Sequence, residues 1–319
     1  SNLHNLVNKE PVFMAPMTGI SDYPFRKILS SLASIPSYSE MVASKEIIYS
    51  NSKIEKKLFK HKVNSVFIIQ IVGNDPLLMA DSAKLCEQSG ADVVDINMGC
   101  PSKKVTGKLS GSALMKNIKD AISIINSVVQ AVNIPVTLKI RLGWDNESIN
   151  APEIAKIAEE SGVRLVTVHG RTRNQFYKGS ANWKLIKNVK DNVSIPIIAN
   201  GDITNKFLAK NALIASCCDG IMIGRGAVGQ PWILKDISFE MSNIKIPAIT
   251  YLDKCNLIVE HFEEMLSHYG NEIGVRVARK HLVKYFYYLN INSSSLVNKL
   301  IRSESPSIAK KYIRSILFK

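Results

Sequence analysis

Eight short apolar runs alternate with segments of helical periodicity between residues 12 and 223. They are Val12–Met17, Tyr38–Val42, Val66–Val72, Asp92–Met98, Pro135–Ile140, Leu165–His169, Ile195–Asn200 and Asp219–Ile223. The runs are mostly continuous, which is typical of parallel strands that are buried on both faces. Eight strand–helix units are what a (β/α)8 TIM barrel requires, so the sequence predicts an α/β fold of that kind. An open, doubly wound sheet is the alternative, because a sequence does not show that a sheet closes.

The segments between the runs carry ordinary helix signals. Asp75–Ser89 opens with an Asp-Pro pair, Ala151–Ser161 stops at a glycine, and Thr204–Ala215 has a threonine at its expected N-cap. These signals support a helix after the third, fifth and seventh runs.

The pattern changes after about residue 247, where strand signals end. Tyr251–Tyr269 and Gly274–Leu289 are long and helix-periodic, Asn290–Ser295 is a polar break, and one last helix is expected to reach the C-terminus. We therefore predict two domains, a catalytic barrel over residues 1–244 and an all-α helical domain over residues 245–319.

The chain is strongly basic. Its 319 residues have a formal net charge of +14, and residues 245–319 alone hold 12 Lys/Arg against 6 Asp/Glu. This balance favours a polyanionic partner such as RNA. A Lys-rich proteome, in which every surface is basic, would leave the same signature.

The five cysteines are Cys86, Cys100, Cys217, Cys218 and Cys255. Their odd number and the absence of a CxxC pair argue against a disulfide framework and against a structural zinc or iron–sulfur site. We expect no metal. With a polar N-terminus and no apolar run of membrane-spanning length, the sequence also predicts a cytoplasmic protein without a membrane partner.

Polar and charged residues stand where most of the runs end. They are Gln70, Asn97, Lys139, Arg141, His169 and Asn200. In a TIM barrel the functional site lies at the C-terminal ends of the strands, so these side chains are expected to converge. Any one of them is equally well explained as a polar residue with local partners. Together they indicate a site for an anion with a flat, acceptor-rich ring, because burial without partners would be costly.

Glycines follow the seventh and eighth runs, at the usual phosphate corner of a TIM barrel. Gly201 and Gly224–Gly226 would let backbone N–H groups approach a phosphate. The segment Gly224–Gly229 also matches GxGxxG. We reject a Rossmann interpretation, since the match follows the last strand of the series and no later strand ends in an acidic residue.

Six motifs follow one another over about residues 11–240. They are Ala15–Gly19 with Asp22–Arg26, Asp95-Ile96-Asn97-Met98-Gly99-Cys100-Pro101, Lys139–Arg141, His169–Arg173 continuing to Tyr177 and Gly179, Asn200–Asp202, and Gly224–Arg225. In order and spacing they resemble the tRNA-dihydrouridine synthases, most closely the bacterial B type.

The resemblance implies FMN on the strand ends, NADPH or NADH as reductant, and reduction of the C5–C6 bond of a D-loop uridine in tRNA. Carried over by position, the cofactor residues would be Pro16, Met17, Thr18, Gln70, Lys139, His169, Asn200, Gly201, Asp202, Gly224 and Arg225. The substrate base would be held by Asn97, Arg141 and Tyr177. Cys100 would be the general acid, for which a neutral thiol with an ordinary pKa of about 8.5 is suitable. We expect a monomer without an obligate protein partner.

Simpler interpretations stay open at this point. Cys100 could be a buried small hydrophobe, the commonest fate of a free cysteine. The chain could be an FMN barrel acting on a small pyrimidine, as dihydroorotate dehydrogenases do, or a tRNA-binding protein without catalysis. Against these, one helical segment mixes cations with aromatic residues in a way that suits RNA. Its members are Lys280, Lys284, Tyr285, Tyr287 and Tyr288.

Overall fold

The computed structural model describes residues 3–49, 58, 65–291 and 294–318. Its strands all run parallel in one sheet. They are β1 (Val12–Met14), β2 (Ser37–Tyr38), β3 (Val42–Ala43), β4 (Phe67–Val72), β5 (Val93–Met98), β6 (Val136–Arg141), β7 (Val166–His169), β8 (Ile197–Asn200) and β9 (Gly220–Ile223). Each of the eight apolar runs contributes to this sheet.

The sheet closes on itself. Strand β1 pairs with β9 through Val12 and Ile221 and with β2 through Met14 and Ser37, and β2 pairs in turn with β4 through Ser37 and Phe67. The short β3 follows β2 after a three-residue break and also pairs with β4, so β2 and β3 together fill one position of the ring. The predicted eight-stranded TIM barrel is confirmed, and an open doubly wound sheet is excluded.

Helices alternate with the strands and then continue alone. They are α1 (Leu3–Lys9), α2 (Tyr23–Leu32), α3 (Ser44–Tyr49), α4 (Pro76–Gln88), α5 (Lys103–Thr106), α6 (Ile118–Ala131), α7 (Ala151–Glu160), α8 (Trp183–Lys190), α9 (Lys206–Ser216), α10 (Trp232–Met241), α11 (Tyr251–Tyr269), α12 (Asn271–Tyr288), α13 (Ser294–Arg302) and α14 (Pro306–Leu317). None of the helices in the described ranges is both long and apolar enough to cross a membrane.

Two details of the helix predictions are wrong. Helix α9 is capped by Asn205, whose side chain accepts a hydrogen bond from the N–H of Leu208, so Thr204 is not the N-cap. The C-terminal segment forms two helices instead of one, because Pro306 begins α14. Proline lacks an N–H and forces the residue before it out of the helical region, and Ser305 is indeed extended.

The C-terminal helices pack on the barrel through an apolar core. Helices α11 and α12 meet at Gly270, which has a φ of +82°, and their buried side chains include Phe262 and Leu282. The same core contains Ile28 from α2 and Trp232 from α10. We propose that the boundary between barrel and helical domain lies near residue 245, in the segment that joins α10 to α11.

Candidate active site

Every second residue of the strands faces the interior of the barrel, because successive side chains point to opposite faces of a sheet. On β5, Val93 belongs to the apolar interior near the N-terminal end, and Asp95 and Asn97 share its face. On β6 the corresponding residues are Thr137 and Lys139. The interior is therefore apolar at one end of the barrel and polar at the C-terminal end.

A chain of hydrogen bonds joins four buried side chains at this polar end. Asp95 accepts from Gln70 Nε2 at 2.7 Å and from Thr137 Oγ1 at 2.6 Å, and Gln70 Oε1 accepts from Asn97 Nδ2 at 2.8 Å. Burial raises the pKa of Asp95 to about 6, and these hydrogen bonds and Lys139 oppose that rise. The chain fixes the orientation of both amide groups.

Asn97 in turn shapes the loop that carries Cys100. Its Oδ1 accepts hydrogen bonds from the N–H of Gly99 at 3.1 Å and of Cys100 at 2.9 Å. The carbonyl oxygen of Cys100 accepts from Ser112 Oγ at 2.8 Å. Asn97 thus organises the turn, and a contact with a substrate base would have to use its remaining Nδ2 hydrogen.

The five cysteines differ in burial. Cys86 and Cys255 are fully buried and Cys217 is exposed, whereas Cys100, like Cys218, is half-buried. The Cys100 thiol makes no hydrogen bond to the described residues, although its backbone is held on both sides. A half-exposed thiol on a fixed turn is available to a ligand.

Lys139 provides a positive charge at the centre of the site. Its Nζ donates to Asn200 Oδ1 at 3.2 Å, and Asn200 Nδ2 donates to the carbonyl oxygen of Met222 at 2.9 Å. Burial, with a contribution from the charge of Arg141, lowers the pKa of Lys139 to about 8. Asp95 opposes this shift. An anion bound here would stabilise the ammonium form.

Arg141 ties the Cys100 turn to the loop after β7. Its Nε donates to the carbonyl oxygen of Gly99 at 2.8 Å, and its Nη1 donates to those of Thr172 at 2.9 Å and Phe176 at 2.8 Å. Nη2 makes no hydrogen bond to the described residues. Burial lowers the pKa of Arg141 to about 10. The predicted base contact would therefore belong to Nη2.

Sequence reasoning assigned no role to Arg171, and it proves to be the main organiser of the β7 loop. It is 2% exposed. Its Nη2 donates to both carboxylate oxygens of Asp202 at 2.8 and 2.7 Å and to the carbonyl oxygen of Gly179 at 2.7 Å. Asp202 Oδ2 also accepts from the N–H of Ala181 at 2.7 Å. The sequence did contain a signal for this ion pair, because an arginine follows β7 and an aspartate follows the neighbouring strand β8.

This ion pair changes what Asp202 can contribute. Its carboxylate is committed to Arg171, and its φ of +57° places it in the left-handed region directly after Gly201 at +117°. A carboxylate would repel a phosphate, so the predicted phosphate contact would have to come from the backbone N–H.

His169 is held as a neutral imidazole. Its Nε2 lies 3.3 Å from Arg171 Nη1, and arginine can only donate, so the proton of the neutral ring belongs on Nδ1. Burial and the surrounding cations, Arg141 first among them, keep the pKa of His169 well below its usual range. A Cβ on Gly201 would stand 3.0 Å from the ring. Glycine is required there for the close approach.

An aromatic platform lies at the mouth of the barrel. Tyr177 is 53% exposed, and the centroid of its ring is 4.5 Å from the guanidinium carbon of Arg225 and 5.6 Å from that of Arg141. Tyr177 follows Phe176 in the loop that Arg141 and Arg171 hold. The flat ring of a ligand could stack at Tyr177, close to the guanidinium groups of Arg141 and Arg225.

The residues after β1 lie beside those after β9, since the two strands pair. Pro16 and Met17 are half-buried and Thr18 is exposed. A Cβ on Gly224 would stand 3.5 Å from the Met17 sulfur. The predicted cofactor residues from these two strand ends are therefore brought together.

The GxGxxG match has a packing explanation. A Cβ on Gly226 would stand 2.4 Å from the carbonyl oxygen of Ile203, and one on Gly229 would stand 2.5 Å from the Lys284 carbonyl carbon. These glycines allow backbones to approach one another closely. No nucleotide-binding motif of Rossmann type is needed to account for them.

The donor set fits a flavin mononucleotide. The Lys139 ammonium and the His169 Nδ1–H stand on the neighbouring strands β6 and β7, and the Arg225 guanidinium follows β9, on the far side of β8. Lys139 has only a neutral hydrogen-bond partner in the described structure. Such donors suit an acceptor-rich ring and a phosphate. In the described part of the chain, no group of three or more His, Cys, Asp or Glu side chains could hold a metal ion.

Comparisons with known proteins show what the chain as a whole is similar to. The family model for dihydrouridine synthases matches residues 13–313. A probable tRNA-dihydrouridine synthase of Rhodobacter capsulatus is 42% identical over 98% of this chain and 97% of its own length. The tRNA-dihydrouridine synthase B of Pasteurella multocida is 43% identical over 89% of this chain and 86% of its own.

Solved structures support the fold alone. A histamine dehydrogenase from a Rhizobium species superposes with a TM-score of 0.54 at 13% identity, over 80% of this chain and 49% of that one. A variant of NCR from Zymomonas mobilis gives 0.52 at 18% identity, over 74% of this chain and 88% of that one.

Proposed function

This chain belongs to the dihydrouridine synthase family, and we propose that it reduces the C5–C6 bond of a D-loop uridine in tRNA with FMN and NADPH or NADH. The observation that carries the proposal is the half-exposed Cys100 thiol, held on a fixed turn beside the cation Lys139. We also expect the enzyme to be a cytoplasmic monomer.

The residues that would hold FMN divide between its two polar parts. Lys139 and His169 Nδ1–H would face the acceptor edge of the ring, and Lys139 would stabilise negative charge there. Arg225 and the backbone N–H groups of Gly201 and Asp202 would hold the phosphate. Gln70 and Asn200 support this arrangement indirectly, since their amides are committed to neighbouring residues.

When bound and reduced, FMN supplies a hydride to C6 of the uracil ring. The pair of electrons displaced from the C5–C6 bond must then take up a proton at C5, and we assign that proton to Cys100 Sγ. The charge of Cys100 acts on the pKa of both Lys139 and Arg141. Solvent can return a proton to the sulfur, because the residue is only half-buried.

The uridine must leave its stack in the tRNA to reach Cys100 and Lys139 at the strand ends, as in other enzymes that act on bases. Tyr177 offers a ring on which the extruded base could stack, and Arg141 Nη2 and the spare Asn97 hydrogen could bind its oxygens. These assignments explain why the β7 loop is fixed by two buried arginines.

The pH dependence of flavin binding should report on Lys139. Its pKa of about 8 in the free protein must rise when an anion binds beside it, so protonation and binding support each other. FMN affinity is therefore expected to fall as pH rises above 8, by up to about tenfold per pH unit. Titration of flavin fluorescence between pH 7 and 9.5 measures this. Lys139→Met should bind weakly with a flatter profile, and an unchanged profile would separate Lys139 from the flavin.

The affinity for tRNA should fall steeply with salt, because phosphate contacts release counterions. We expect a loss of about 10- to 100-fold between roughly 50 and 200 mM monovalent salt. Filter binding of an unmodified transcript measures it. Lys284→Met, at an exposed position of α12, should lower the slope of log affinity against log salt by about one, whereas a salt-independent affinity would contradict an electrostatic interface.

Three measurements test the proposed function as a whole. The purified protein should show a flavin absorbance band near 450 nm, roughly where flavins absorb. It should convert uridine to dihydrouridine in tRNA from cells that lack its gene, and mapping the product gives the position. Equal activity on free uracil or orotate would instead indicate a small-molecule enzyme. The absence of flavin would indicate a non-catalytic RNA-binding protein.

A further inference from the structure

Helix α12 contacts two loops at the mouth of the barrel, one after β1 and one after β9. Lys280 Nζ donates a hydrogen bond to the carbonyl oxygen of Gly19. One turn along the helix, the backbone of Lys284 approaches Gly229 so closely that a Cβ on that glycine would stand 2.5 Å away. Residues four apart share one face of a helix, so a single face of α12 meets both loops.

Gly19 is held through both of its backbone polar groups. Its N–H donates to Glu40 Oε1 at 2.5 Å, while its carbonyl oxygen accepts from Lys280. Glu40 is 8% exposed and lies in the break between β2 and β3. The break between β2 and β3 therefore places the Glu40 carboxylate against the loop after β1.

The conformation of Gly19 suits these contacts. Its φ of +72° lies in the left-handed region, where a side chain is disfavoured. A Cβ would also stand 3.0 Å from Lys280 Nζ. The loop thus takes a shape that only glycine adopts freely, and the lysine occupies the space a side chain would need.

Two further bonds fix the same loop. The N–H of Met17 donates to Ser21 Oγ at 2.9 Å, and Tyr269 at the end of α11 donates from its hydroxyl to Asp22 Oδ2 at 2.6 Å. The segment that would line the flavin is therefore connected to the C-terminal helices at both Gly19 and Asp22. Helix α12 itself is firmly seated, since Ala278 and Leu282 are buried.

We propose that Lys280 is a positioning residue for the cofactor, which holds the loop of residues 16–19 in its flavin-binding conformation from the C-terminal helices. The inference rests on the proposed function and deepens it. Lys280 acts through Gly19 and does not touch the reacting atoms. Lys284 on the same face is exposed and belongs to the helical segment of cations and aromatic residues that suits RNA. Docking of tRNA and seating of the flavin would therefore share one helix.

The test is the affinity of apoprotein for FMN, measured by quenching of flavin fluorescence. Lys280→Met is expected to raise the Kd about 3- to 30-fold, somewhat less than the full effect of losing a buried hydrogen bond from a charged donor, because Lys280 is exposed. Lys280→Arg should restore most of the affinity, because a guanidinium also donates to a carbonyl. Lys299→Met removes an equal charge from α13 and should bind FMN as the wild type does.

The outcomes separate this inference from the proposed function. A wild-type protein that binds no flavin overturns both. A wild-type protein that binds flavin, beside a Lys280→Met variant that binds it equally tightly, overturns only the role of Lys280. Should Lys280→Met fail to fold, Lys280→Ala removes the same donor from this exposed helix position and must weaken FMN binding in the same range. An unchanged Kd in that variant also overturns the proposal.

Discussion

Replacing Cys100 with alanine is expected to slow uridine reduction by about 10²- to 10⁴-fold, the usual effect of losing a general acid. The affinities for FMN and tRNA should change little, because the Cys100 thiol makes no hydrogen bond to the described residues. The turn is held through the Cys100 backbone, which bonds to the side chains of Asn97 and Ser112. Single-turnover oxidation of pre-reduced enzyme by tRNA, followed at the flavin band, measures the rate without interference from the reductant.

Two variants control this experiment. Cys100→Ser retains the shape but offers a weaker acid, so it should remain slow. Cys217→Ala alters an exposed cysteine and should leave the rate unchanged. A Cys100→Ala enzyme that reduces uridine at nearly the wild-type rate would remove Cys100 from the proton transfer and leave solvent as the donor.

The barrel was predictable because its signal is local. Buried parallel strands require apolar runs, and helix caps such as Asp75 are short-range features that a sequence displays directly. The break between β2 and β3 was not predicted. It places Glu40 against Gly19 in another loop, and a contact between residues distant in sequence has no local signal.

The sequence predicted that the strand-end side chains would converge, but it did not predict the hydrogen bonds among them. Strand ends and the family resemblance identified Asn97 and Arg141, but their principal contacts are with protein groups. Which amide binds which carboxylate depends on distances across the barrel. The Asp95–Gln70–Asn97 chain and the Arg171–Asp202 pair are of this kind.

Part of the missed information was nevertheless present. Within β5, Asp95 and Asn97 alternate with Val94, Ile96 and Met98, which pack outward against the helices. The same alternation places Thr137, Lys139 and Arg141 on one face of β6. A period of two among polar residues inside an apolar run indicates a polar barrel interior, and Asp95 and Thr137 follow from it.

The partly buried ion pair between Arg171 and Asp202 should have the largest effect on stability. Arg171 has 2% of its side chain exposed and Asp202 has 32%, so the pair is only partly screened by solvent. Arg171→Met would leave Asp202 without its bidentate partner and the carbonyl oxygens of Lys178 and Gly179 without a donor. We expect a loss of about 2 to 4 kcal/mol in the free energy of unfolding, measured in urea.

A double-mutant cycle distinguishes the ion pair from simple loss of packing. Each single change leaves one charge of the pair without its partner, whereas the double variant Arg171→Met with Asp202→Asn removes both charges. The double variant should therefore lose less free energy of unfolding than the sum of the two single changes. As a control, Lys187→Met breaks the exposed pair of Lys187 and Asp191, whose side chains are 45% and 52% exposed. This change should lower the free energy of unfolding by less than about 0.5 kcal/mol. Additive single effects would show that Arg171 stabilises the β7 loop through its carbonyl contacts alone. In that case Arg171→Met would also loosen the loop that carries Tyr177, since Arg171 bonds the carbonyl oxygens of Lys178 and Gly179. Reduction of tRNA would then slow mainly through a higher KM.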